Sequence, residues 1–187
     1  MTRTMNTLRI SLVLVAAFLA VFWEAAFPGT GRWLKTQVDL LPALMIYASL
    51  SVSLPGVVAL AVCGGLFFDS LSANPLGVSI LPLFIVGFLI FIQRELILRD
   101  QPYAQLVLGL AASAVAPLLS VLLLLTAGQP LLLGWGSLWQ WLVMTLGGGI
   151  ATPIIFFVFD WCERTFGRSR PSESSFRPDR EIRRGRN

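Results

Sequence analysis

The sequence has no histidine and only one lysine, Lys35. Its two cysteines, Cys63 and Cys162, stand far apart in the chain. Without histidine, the commonest general base and metal ligand are missing. Two distant cysteines do not complete a metal site on their own, and both read as small apolar fillers. Charge is scarce as well: 13% of the 187 residues are Asp, Glu, Lys or Arg, against about 25% in a soluble domain. That shortfall excludes an ordinary soluble globular protein. What the chain has in abundance is apolar sequence, 56% of the total, in long runs. Barrel strands would alternate at period two, so long runs indicate helices and an all-α integral membrane protein. At about 20 residues per span, the length allows roughly five to seven helices.

Six apolar runs are legible: 10–27, 38–54, 57–71, 76–93, 103–127 and 138–159. The first is too long for the core of a signal peptide, and Glu24-Ala25-Ala26 is a poor cleavage site, so it reads as a span. Pro28-Gly29-Thr30-Gly31 breaks the chain, and Arg32, Trp33 and Lys35 follow as an interfacial anchor. Ser53-Leu54-Pro55-Gly56 reads as a tight turn. The fourth run is interrupted by Pro82. Ser49, Ser51 and Ser53 indicate that one face of the second span packs on protein. Small residues crowd the fifth span from Gly109 to Ala114, as at helix–helix interfaces. Gly147-Gly148-Gly149 and Pro153 predict a bent or locally unwound sixth span. The chain thus divides into a six-helix transmembrane domain, 1–160, and a basic tail, 161–187, expected to be disordered.

From Arg164 onward the tail holds eight arginines against three acids. It can serve as a topology anchor, bind anionic lipid at about 1 kcal/mol per basic residue near the surface, or meet a cytoplasmic protein. Aromatics are scarce there, which argues against nucleic acid. Six spans put both termini on one side, together with twelve of the fourteen positive residues. The positive-inside rule then makes both termini cytoplasmic.

No ionisable residue falls at the centre of a run. Membrane pumps and hydrolases need such groups, so the sequence points to a non-enzyme with no catalytic residue, cofactor or metal. Four residues stand out more weakly. Glu24, beside Trp23, is either an interfacial charge or a partner contact. Asp39 suits a helix start. Ala16 and Ala20 form a small-x-x-x-small pair that can dock another helix.

The most distinctive stretch runs from Gly64 to Gly77. Gly64 and Gly65 permit close helix approach. Asp69 is the only acid between Asp39 and Glu95 and is expected at the membrane edge. Asn74 can cap a new helix with Pro75 in its first turn, and Leu76-Gly77 completes the unit. These residues resemble the central signature of the rod shape-determining protein MreD family, here Gly65-Leu66-Phe67-Phe68-Asp69 followed by Asn74-Pro75-Leu76-Gly77. The entry to the second span, Val38-Asp39-Leu40-Leu41-Pro42, is a partial second match.

The resemblance covers about residues 8–160. It implies a multi-pass protein of the bacterial inner membrane that acts without catalysis in the cell-wall elongation complex and maintains rod shape. It implies direct binding to MreC, with MreB, RodA and a penicillin-binding transpeptidase in the wider assembly. Small-residue faces on spans three, five and six would then dock the single span of MreC. It also implies a fold resembling the substrate-binding component of energy-coupling factor transporters, six helices around a groove. A vitamin-uptake component is accordingly the alternative reading.

Overall fold

The computed structural model describes residues 2–26, 39–72, 75–97, 101–128 and 134–166. The Arg32–Lys35 anchor, the Asn74 cap, Arg99, Asp100 and the tail beyond Phe166 lie outside them. Among the described residues the regular structure is all helical, joined by turns and short irregular connections. Six helices follow one another: α1 Thr2–Ala26, α2 Leu41–Ser51, α3 Leu54–Leu71, α4 Ile80–Gln93, α5 Pro102–Thr126 and α6 Trp135–Phe166. Four of them, α1, α3, α5 and α6, are long and apolar enough to cross a bilayer. The chain is therefore an all-α membrane protein.

The organising element is α2. It is only 11 residues long, about 16 Å at 1.5 Å per residue, and every residue from Leu41 to Ser49 is buried. A helix that is apolar all round belongs inside a bundle. It touches each of the other five helices. The sequence reading gave this segment one protein-facing side and a longer span; the structure covers all its sides and shortens it. Its outer face is shielded from lipid by protein, so it does not need full membrane length. Ser49 Oγ, with no water to meet, donates to Met45 O at 2.7 Å.

Residue pairings give the directions. Glu24, near the end of α1, accepts the N–H of Leu40, just ahead of α2. Gly56, at the start of α3, lies against Ile10 of α1, and Phe67 meets Phe18 edge to face at 5.4 Å. Hence α1 and α3 run parallel, with α2 antiparallel to both. Gly65 packs on Ile80 and Gly87 on Val57, so α4 runs back along α3. Gly109 faces Thr152, and Trp141 Nε1 donates to Ala114 O at 3.0 Å. That makes α5 and α6 an antiparallel hairpin. Tyr47 of α2 stacks on Phe159 and meets Phe156 edge on, at centroid distances of 4.2 and 5.2 Å, joining the hairpin to the core.

Several local expectations change. Leu54-Pro55-Gly56 is the first turn of α3, where a proline without an N–H is tolerated, and not a free turn. Pro82 likewise falls in the first turn of α4 and does not interrupt it. α6 runs unbroken through the glycine triplet and Pro153, because the glycines are packed closely against α5.

Candidate functional site: the Asp69 corner

The fourth helix was expected to open at Asn74-Pro75. It opens at Ile80 instead, and residues 76–79 form a turn. The reason lies in Asp69. The residue is 2% exposed and sits in the last turn of α3. Oδ2 accepts the N–H of Gly77 at 2.8 Å and that of Ser79 at 3.1 Å. Oδ1 accepts the Ser79 hydroxyl at 2.5 Å. An aspartate thus ends one helix and holds the chain entering the next. Three donors to one carboxylate offset the cost of burying it. The same bonds satisfy backbone donors that precede the first helical turn of α4.

The turn explains the neighbouring residue types. Gly77 has φ +95°, a conformation that costs an L side chain roughly 1–2 kcal/mol. A Cβ there would meet nothing within 4 Å, so conformation alone requires glycine. Pro75 accepts the N–H of Val78 through its carbonyl. Leu76 is 71% exposed, an apolar tip at the end of the bundle. At Gly65 a Cβ would lie 3.0 Å from Ile80 Cα and N, so α4 can start beside α3 only over a bare backbone. Gly64 plays the same part towards Leu41, at 3.2 Å. Gly64, Gly65, Asp69, Pro75, Leu76 and Gly77 therefore form one connected corner. The partner the sequence did not reveal is Ser79. It lies beyond a Pro-Leu-Gly turn, where no periodic signal points back to Asp69.

The weaker candidates fall elsewhere. Glu24 and Asp39 meet at the start of α2. Glu24 Oε1 accepts from Leu40 N and Asp39 Oδ1 from Leu41 N, each at 2.8 Å. Asp39 thus holds a helix start, and Glu24 ties α1 to it. Because α1 and α3 run parallel, Asp69 lies at the same end of the bundle. Ala16 and Ala20 are half-buried against the core. Several of the small residues of α3, α5 and α6 pack against other helices of this chain. Gly64 and Gly65 meet Leu41 and Ile80, Gly148 meets Ser113, and Gly149 meets Leu110. Among the described residues no group of three or more His, Cys, Asp or Glu could hold a metal ion.

No protein-family model, curated protein or solved structure matches the chain.

Proposed function

We propose that this chain is a non-catalytic MreD-like subunit of the bacterial cell-wall elongation complex, bound directly to MreC in the inner membrane and required for rod shape. One observation carries the reading. Of the residues that give the resemblance, Asp69 and Gly77 are joined by a hydrogen bond, Gly65 packs on the first residue of α4, and Pro75 and Leu76 lie in the turn that Asp69 holds, so the motif has a physical basis in this chain. In this reading α2 and α4 also pass through the membrane, the alternating helix directions make six passes, and both termini lie in the cytoplasm. Arg9 and Arg94 then share the cytoplasmic side with the arginine tail, which contacts anionic lipid there. MreB, RodA and the transpeptidase belong to the wider complex.

The vitamin-uptake alternative needs a central groove with polar groups. Here the centre is filled by α2, with Leu44, Met45, Ile46 and Tyr47 fully or nearly buried. That favours the scaffold reading.

The test is to delete the gene in its rod-shaped host and to purify the tagged protein with MreC from the same cells. Rounded cells and stoichiometric MreC are expected. Normal rods with no MreC in the purified material would sink the proposal, and a tightly bound vitamin would replace it with transport.

A further inference from the structure

The passage from α1 to α2 brings two carboxyl groups to one place. Glu24 lies in the last turn of α1, and Asp39 stands just ahead of α2. Glu24 Oε1 accepts the N–H of Leu40 and Asp39 Oδ1 that of Leu41, each at 2.8 Å. These two amides are neighbours along the chain. Leu40 has helical backbone angles, φ −87° and ψ −12°, so both N–H groups project to the same side, as the free amides of a helical first turn do. Their acceptors are therefore held side by side, and both acids are half-buried. Two carboxylates sharing such a site do not ionise as they would in water, because the second charge meets the first at reduced dielectric.

Asp69, at the same end of the bundle, is the contrast: its one charge takes three donors. At the start of α2, Leu40 and Leu41 supply one amide to each carboxyl. Burial raises the Asp39 carboxyl above its ordinary value, and the Leu41 N–H offsets this only in part. Among the described residues, the other charges of the packed helices are distant or engaged. α1 carries Arg3 and Arg9 towards its opposite end, α2 carries none, and α3 carries only Asp69, held by Gly77 and Ser79. α4 and α6 begin, and α5 ends, without a charge. Arg32 and Lys35 belong to the linking stretch outside the described residues.

We propose that Glu24 and Asp39 hold a single proton between them, and that its loss frees the end of α1 from the start of α2. Glu24 ties α1 to the α2 start through Leu40, so this proton acts on the docking of a whole helix. Nothing in the pairing depends on the MreD-like reading. The sign follows from linkage. A carboxyl raised in the folded state keeps its proton where the unfolded chain has lost it. Its stabilising share is complete below the ordinary carboxylate pKa, about 4, and is lost as pH rises through the raised native value.

The test follows the carboxylic-acid C=O stretch of the full chain in detergent by infrared spectroscopy as the pH is raised. The unmodified chain should keep one protonated carboxyl at about pH 6, two units above the ordinary carboxylate value. Loss of the whole acid band at the ordinary value overturns the proposal without any variant. Glu24→Gln and Asp39→Asn should each lower the midpoint of the remaining acid by about one unit or more, since coupled sites titrate as a pair. The exposed Glu95→Gln should leave the midpoint alone. A midpoint that either pair substitution leaves unmoved overturns the sharing. Hydrogen exchange reads the release. Compared with Glu24→Gln at each pH, which cancels the intrinsic rate change, the end of α1 should exchange several-fold faster once the proton is lost; equal rates throughout overturn the release. Thermal unfolding gives the sign. Relative to Glu24→Gln, the unmodified chain should lose stability as pH rises, by up to about tenfold per pH unit in the folding constant. An unchanged or opposite difference overturns the inference.

Discussion

Asp69 shows how a carboxylate can be structural inside an apolar protein. Replacing it with alanine leaves two backbone N–H groups and the Ser79 hydroxyl without their acceptor in a buried place. The expected loss is about 2–4 kcal/mol, at roughly 1–3 kcal/mol per orphaned group partly relieved by water, and a detergent thermal-shift assay should read it as a clear drop in midpoint. Asp69→Asn keeps one acceptor oxygen and should lose less; an alanine variant as stable as the wild type would refute the role. Gly77→Ala probes the turn itself and should cost about 1–2 kcal/mol through φ alone, with Gly77→Asn closer to neutral in the same assay. A lone acid among apolar residues, flanked by Gly-Gly and Pro-Leu-Gly, made the corner visible in the sequence. Its depth was not visible, because burial depends on how far α4 folds back over α3. Nor was the delayed start of α4. Local capping rules favour Asn74-Pro75, and a tertiary bond from Asp69 to Ser79 overrides them.

At the scale of elements, the α5–α6 hairpin turns small residues into proximity. A Cβ on Gly148 would fall inside the Ser113 side chain, whose hydroxyl is buried and without a hydrogen-bond partner. Gly148→Ala should therefore destabilise the protein by about 1–3 kcal/mol through overpacking. Adding Ser113→Gly should recover a substantial part of that loss, since residues in direct contact couple. Strict additivity in the double-mutant cycle would show that the two do not meet. The sequence identified the small residues correctly but not their partner. Periodicity shows that a face is small; it does not show whether another helix of the same chain already occupies it. Likewise, a glycine triplet followed by proline reads as a bend or local unwinding in isolation, whereas Thr152 Oγ1 donating to Gly148 O at 2.8 Å and the facing α5 hold this stretch helical.

For the molecule as a whole, the alternating directions put the α3–α4 corner and the α4–α5 connection at opposite ends. In a background with Cys63 and Cys162 replaced, single cysteines at Leu76 and Leu96, which are 71% and 84% exposed, should be labelled by an impermeant thiol reagent from opposite faces of a sealed vesicle. Leu96 should react from the cytoplasmic face if positive charge sets the orientation; labelling of both from one face would break the up-and-down order. All-helical class and approximate helix number were legible from hydropathy. The centrality of α2 was not, because a short apolar run reads the same whether lipid or protein surrounds it. Tyr47→Ala should open a cavity against Phe156 and Phe159 and cost about 3–5 kcal/mol, measurable as an earlier unfolding transition. That contact also sets an order of events during synthesis. α2 leaves the ribosome early, but the aromatic rings that cover Tyr47 come from the last helix. Chains arrested before α6 should therefore be held by insertion chaperones or cleared by membrane proteases, and the central helix acts as a checkpoint for completion of the chain.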